Sequence, residues 1–290
     1  MVLQPRKDTL MTDPRAAIYS LLRPHLKKGW GEPGLIEAMD RELDALGAGR
    51  APKIIIVKPP VTASNRSFSQ QQIDLEFLDL AFPANTIDGL EKWVEPTLES
   101  CVRWGIDTFR EVCSYLANIN VESNGLTRMT ESLNYSSDAL IRLFGRHRIS
   151  IADANRYGRK KGQSANQEML ANILYGGPWG KKNLGNDKSG DGWKHRGFGP
   201  KQITGKANQQ DFADAMGMRL EEMPAFLRTT EGGMMGAGWF WKSHNLDKFA
   251  ATPGLADDRK TINGGANGLA EVERVFSILI NELIRREKAG

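Results

Sequence analysis

Between Thr108 and Glu122 the chain reads Thr-Phe-Arg-Glu-Val-Cys-Ser-Tyr-Leu-Ala-Asn-Ile-Asn-Val-Glu, and Phe109, Val112, Cys113, Leu116 and Ile119 recur at three- and four-residue spacing. Such a stripe specifies a helix with one face on a core. Glu122 follows the stripe, and Ser-Asn-Gly after it marks a helix end. A second glutamate, Glu131, comes nine residues later in Thr-Glu-Ser-Leu-Asn-Tyr-Ser, ending at Ser136. One carboxyl against an apolar wall, beside a second and more solvated one, is the arrangement that glycosidic bond hydrolysis needs. The walled group keeps its proton as an acid and the solvated group stays ionised as a base. The bland alternative is a helix-end glutamate and a loop glutamate in solvent, so the surroundings decide.

The same periodicity runs through most of the chain. Helical patterns are read at Ile73–Ala81, Thr86–Trp104 (with a kink or break at Pro96), Ser137–Phe144, Ser150–Lys161, Asn166–Tyr175, Lys206–Met216, Gly232–Trp241 and Ala270–Lys288. Residues 176–199 are rich in Gly, Lys and Trp and read as irregular, with room for a small hairpin. The fold class expected is mainly α. The N-terminal part divides further: a leader at 1–11, a helical hairpin at 12–48 and a linker at 49–74. The hairpin carries stripes Ile18, Leu21, Leu22, Leu26 and Leu35, Ile36, Met39, Leu43, Leu46. The globular domain is placed at 75–290.

No apolar run approaches the ~20 residues of a membrane span, so no membrane insertion is expected. The first residues lack the apolar stretch of a secretory signal. Cys101 and Cys113, both in apolar helical sequence, read as buried free thiols. His25, His147, His195 and His244 are scattered with no His-Glu-x-x-His or Cys-x-x-Cys, which argues against a metal enzyme. No cofactor is implied. Net charge is +4, but residues 141–206 hold fourteen Lys/Arg against four Asp/Glu. That stretch suits a polyanion, either nucleic acid or an acidic cell-wall polymer; a solvated basic face is the alternative.

Three further segments join the glutamates. They are Ser189-Gly-Asp-Gly-Trp-Lys-His-Arg-Gly-Phe-Gly199, then Pro200-Lys-Gln-Ile-Thr-Gly-Lys-Ala-Asn208, and Thr261-Ile-Asn-Gly-Gly-Ala-Asn-Gly268. Glycines admit close backbone approach, and Asn, Gln and Thr offer neutral hydrogen bonds suited to sugar hydroxyls and a held water. With these motifs in this order, the chain from about Leu75 to its end resembles glycoside hydrolase family 19, the chitinase-like hydrolases, and in particular the phage endolysin branch.

The resemblance implies a lysozyme-like, two-lobed α-helical catalytic domain that inverts β-1,4 bonds between N-acetylated sugars. Glu122 would be the acid, Glu131 the base and Thr204 the holder of the attacking water. Gln202, Asn208 and Asn263 would line the cleft, joined by Ser136 and Arg196 from the motifs. Tyr135 and Trp193 are candidates for stacking on sugars, with core packing as the alternative; Trp239 and Trp241 read as core. Thr204 could instead cap the helix that follows. Three departures from the family pattern bear on subsite preference rather than chemistry: Val121 before the acid, Phe198 in Arg196-Gly-Phe-Gly199, and Gln209 after Asn208.

The expected function is an endolysin that hydrolyses peptidoglycan for host cell lysis. It would collect in the host cytoplasm and reach the wall after holin-type release. Its partners would be peptidoglycan glycan strands and, through residues 141–206, the anionic wall surface; no nucleic acid partner is expected, and a monomer is. Rival readings are a chitinase on N-acetylglucosamine polymers, a lytic transglycosylase and a non-catalytic wall-binding protein.

Overall fold

The computed structural model describes residues 72–252 and 254–289. The leader, the hairpin and most of the linker fall outside the described residues. Among the described residues the elements are helices, and β-pairing is confined to isolated bridges.

The helices are α1 (Leu75–Ala81), α2 (Ile87–Leu90), α3 (Val94–Trp104), α4 (Phe109–Ser123), α5 (Ser137–Phe144), α6 (Ile151–Tyr157) and α7 (Gln167–Leu174). Then follow α8 (Gly177–Leu184), α9 (Asp191–Lys194), α10 (Lys206–Met216), α11 (Met223–Phe226), α12 (Thr230–Ser243), α13 (Ala256–Asn263) and α14 (Leu269–Ala289).

The stripe on α4 is buried, as its spacing predicts, but the other faces of the helix are buried too, where a single core-facing side was expected. Thr108 opens the helix with a capping box: its Oγ1 accepts from Glu111 N at 3.2 Å, and Glu111 Oε2 accepts from Thr108 N at 3.2 Å. Asn124, in the left-handed region at φ 51°, closes it. Nearly all of α4 is buried, polar residues included, so it is the central post of the largest core. α14 lays Val272, Val275, Phe276, Leu279, Ile280 and Leu283 along it, each near-fully buried. Burying a side chain of this size contributes about 1.5–3 kcal/mol. α12 closes on α3 at Gly238, where a Cβ would stand 2.4 Å from both Ser100 Oγ and Trp104 Cδ1. Trp239 and Trp241 are buried, as the sequence suggests.

A second, smaller core joins Leu133, Leu140, Ile149, Leu170 and Leu174, built chiefly on α5, α6 and α7. A third unites Phe198, Ile203, Phe212, Leu227 and Trp239. Glu122 ends the post of the large core, and residues 124–136 carry the chain from it to the smaller one.

Several expectations need correction. The break expected at Pro96 falls earlier, in the 3-10 turn Glu91–Trp93. Pro96 sits in the first turn of α3, where its missing N–H would have had no helical partner. The helix expected at Ser150–Lys161 stops at Tyr157, because Gly158 leaves the helical region and Arg159 N donates instead to Tyr135 O at 2.7 Å. Residues 176–199 form α8 and α9 rather than a hairpin. One expectation holds without change: Cys101 and Cys113 are buried free thiols, and burial pushes Cys101 up to about 12. Among the described residues no helix is long and apolar enough to cross a membrane.

Candidate active site

Glu122 is the penultimate residue of α4, and its side chain is 16% exposed. A carboxylate there meets the negative end of the helix dipole, an unfavourable field that nearby cations offset. Two are present. Arg259, on α13 and 3% exposed, donates from Nη1 to Glu122 Oε1 at 2.7 Å. Lys201 Nζ lies 3.6 Å from Oε2. Arg259 is aimed by its other bonds, with Nε on Asn267 O at 2.6 Å and Nη1 on Asn118 Oδ1 at 3.3 Å. Gly268, at φ 76°, leaves room for this: a Cβ there would stand 2.7 Å from Val121 Cγ1 and 3.3 Å from Arg259 Nη2. Val121 thus packs against the turn that aims Arg259. The apolar wall beside Glu122 includes Ile119, Trp241 and Ile262.

Below Arg259, α13 is anchored by its neighbour. Asp258 accepts from Arg110 Nη2 at 2.6 Å and from Ser114 Oγ at 2.9 Å. Both charged side chains are essentially fully buried. Arg110 also holds Thr252 O at 3.0 Å and Gly254 O at 2.8 Å, tying the approach to α13 onto α4.

Glu131 is held differently. Its segment pairs with the 197–199 loop: Gly199 N donates to Met129 O and Glu131 N to Gly197 O, each at 2.9 Å. Its carboxylate accepts from Gly197 N at 3.1 Å through Oε2 and from the Tyr175 hydroxyl at 2.5 Å through Oε1. Burial, and then the adjoining carboxylate, push the Tyr175 phenol up, so it stays a donor. Tyr175 caps the end of α7, and its carbonyl is held by Asn186 Nδ2 at 2.8 Å.

Gly197 is the hub. A Cβ on it would meet Gln202 Oε1 at 2.7 Å and Thr204 Oγ1 at 3.0 Å, so both side chains converge where the Glu131 partner sits. Gln202 adopts φ 57°, a left-handed conformation uncommon for a side-chain-bearing residue. Its Nε2 donates to Gly199 O at 2.7 Å. Glu122 reaches the same loop through Lys201, the neighbour of Gln202. The 196–204 loop therefore gathers Glu122, Glu131, Gln202 and Thr204.

Thr204 does not cap α10. Gly205 occupies that position, and Thr204 Oγ1 donates to Gln202 O at 3.1 Å. Gln209, read as a departure in the cleft, is fully buried and structural. Its Nε2 donates to Ile203 O at 3.0 Å and Arg196 O at 3.3 Å, which leaves Oε1 to accept from His195 Nδ1–H at 2.7 Å. Burial pulls the His195 imidazole below its usual range, which suits this neutral tautomer.

The other expected cleft residues are partly engaged elsewhere. Ser136 Oγ accepts from Ala139 N at 3.3 Å as the cap of α5. Asn208 Nδ2 donates to Thr204 O at 2.8 Å. Asn263 is exposed at the end of α13, with Nδ2 3.4 Å from Asn267 O. Tyr135 and Trp193 are half-buried against the smaller core. Tyr135 meets Phe144 edge-on at 5.7 Å, and its phenol is raised by burial first and by Glu131 second. The Arg196 guanidinium covers the Trp193 ring at 3.4 Å. Among the described residues no cluster of His, Cys, Asp and Glu could hold a metal ion. Arg259, Tyr175 and Lys201 were not legible as site residues, because each reaches its glutamate from a distant part of the chain.

No family model matches the sequence. A glycosyl hydrolase family 19 domain-containing protein of Haemophilus influenzae is 33% identical over 166 residues, spanning 57% of this chain and 76% of the relative. Among solved structures, chitinase C from Streptomyces griseus aligns with a TM-score of 0.46 at 17% identity, covering 73% of this chain and 92% of that one. A bacterial family 19 chitinase aligns at 0.44 and 18% identity, covering 72% and 95%. The assignment rests on the Haemophilus relative, which this chain matches over three-quarters of its length: the protein belongs to glycosyl hydrolase family 19.

Proposed function

We propose that the protein hydrolyses the β-1,4 bonds of peptidoglycan by inversion, with Glu122 as the acid, Glu131 as the base and Thr204 holding the water. The observation that carries this is the convergence of Glu131, Gln202 and Thr204 on Gly197, with Glu122 tied to the same loop through Lys201. Glu122 lies beside an apolar wall but also faces Arg259 and Lys201, which departs from the purely apolar setting expected, so its role as the acid rests on its motif and not on its charge environment. Glu131 has a neutral donor on each oxygen, Tyr175 and Gly197 N. Neutral donors orient an ionised carboxylate and keep it able to take a proton from water. The Thr204 hydroxyl, across Gly197, can accept from that water while Glu131 polarises it.

For the substrate, charge favours the anionic wall over neutral chitin. Arg142, Arg146, Arg156, Arg159, Lys160, Lys161, Lys181, Lys182, Lys188 and Lys194 of the basic stretch are exposed. Such a surface raises the local concentration of a polyanion and its rate of encounter. An endolysin that acts as a monomer after release from the host cytoplasm is the biological role we attach to this chemistry.

The test is digestion of purified peptidoglycan and of chitin oligomers side by side, following reducing ends and product masses. Peptidoglycan is expected to yield hydrolysed muropeptides at a rate that falls as salt rises. Cleavage of chitin alone would move the protein to the chitinases. Anhydro sugar ends would make it a lytic transglycosylase, and no cleavage of either would leave a binding protein.

A further inference from the structure

The reaction assigned above leaves Lys201 without a role, and its setting is unusual. It is a lysine only 15% exposed, with Nζ 3.6 Å from Glu122 Oε2 and 4.3 Å from the Phe240 ring centroid. The cavity these groups line has room for about one water, and Lys201 and Glu122 are 15% and 16% exposed, so solvent screens the ammonium from the carboxylate only in part.

We propose that Lys201 is a charge-setting residue for Glu122, a positioning residue whose ammonium fixes the pH above which the acid no longer holds its proton. The inference rests on the reading of Glu122 as the acid. Two cations face Glu122, and they are not equivalent. Arg259 keeps its charge throughout the working range, and its Nη1 and Nε are committed to Glu122, Asn118 and Asn267 O. It supplies a constant background. Lys201 is held less firmly as a cation. Burial pulls its amine below the usual lysine range, Glu122 pulls it back, and Arg259 adds to the lowering.

The remaining groups facing this cluster do not replace Lys201. His244, at the end of α12, stacks on Phe240 with ring centroids 3.8 Å apart. Burial holds its imidazole below the ordinary range, and Lys201 adds to that, so it brings no competing charge at neutral pH. Tyr115 lines the cavity, but its hydroxyl is bonded with Ser100 Oγ at 3.0 Å and Met234 O at 3.1 Å, and burial keeps it protonated.

The sign follows from charge. A cation beside a carboxyl favours the ionised form, so removing it lets the acid keep its proton to higher pH. In Lys201→Met the basic limb of the kcat/KM profile is expected to move up by about 1–3 pH units, the range a neighbouring opposite charge imposes on a carboxyl. Lys201→Arg, which keeps the charge, is expected to hold the limb at or below its wild-type position. A merely structural lysine would alter the rate or the melting temperature and leave the limb in place.

The experiment pairs these profiles with a 13C-carboxyl NMR titration of Glu122 in the free full-length protein, for wild type, Lys201→Met and Lys201→Arg. Lys201→Gln stands in if the Met variant does not fold. An upward shift of both the titration midpoint and the limb in the neutral variant alone supports the proposal. An unmoved midpoint in a folded neutral variant overturns it. A moved midpoint in proteins that cleave no glycan would uphold the charge linkage while sinking the glycosidase reading.

Discussion

Replacing Glu122 with Gln is expected to lower the hydrolysis rate by about 10²–10⁴-fold, the usual contribution of a positioned acid. Gln keeps an oxygen that can accept from Arg259 and nearly the same volume, but it has no proton to give the leaving sugar oxygen. The change also leaves Arg259, 3% exposed, and Lys201, 15% exposed, without their counter-charge. Some loss of stability should accompany the loss of rate, so a melting curve belongs beside the assay. A folded Glu122→Gln protein that retains wild-type turnover would remove Glu122 from the chemistry and leave it a structural partner of Arg259.

The second large effect is on stability. Asp258→Ala is expected to destabilise the fold by about 3–5 kcal/mol, because it strands a buried guanidinium. Arg110 is 1% exposed, and Asp258 is its one carboxylate partner among the described residues. Its remaining bonds go to Thr252 and Gly254. Ser114→Ala removes a single hydrogen bond to the same carboxylate and should cost only about 1 kcal/mol. Urea denaturation of both variants checks the ratio. A mild Asp258→Ala phenotype would mean that the charge finds water on unfolding part of the 252–258 approach. Because Arg259 is the next residue, activity should fall in the folded fraction as well.

Much of this fold is written locally. The helix read at Ser137–Phe144 is found with those bounds, and the one read at Asn166–Tyr175 runs from Gln167 to Leu174; Thr108, Ser136 and Asn166 each cap a start through a side chain that accepts from the backbone three residues on, a local signal the periodicity reading did not use. The stripe of α4 carries its burial in its spacing. Local signals fail where one residue type serves two ends. Pro96 reads as a break but is tolerated in a first turn. The glycines of 176–199 read as loop, yet Gly180 lies inside α8, where a Cβ would stand 1.9 Å from Tyr175 O.

The site divides in the same way. Glu122, Glu131, Gln202 and Thr204 were visible through motifs. Their supports were not, because support comes from far along the chain: Arg259 lies 137 residues from Glu122, and Tyr175 lies 44 from Glu131. No periodicity links such pairs. Gln209 shows the converse error. As a polar residue in a cleft motif it suggested a change of subsite, whereas it is a buried clamp on the loop that carries the catalytic candidates.

The most direct test of the two-glutamate mechanism is the anomeric form of the first product, read by NMR before mutarotation. A water activated by Glu131 on the face opposite Glu122 must turn a β linkage into an α-anomeric end, because the two carboxyls act from opposite sides of the sugar ring. Fresh α anomer from wild type, absent in Glu131→Gln, is the predicted result. Fresh β anomer would mean retention, through a covalent enzyme intermediate or through the sugar's own acetamido group, and would contradict the roles given to Glu122, Glu131 and Thr204 together.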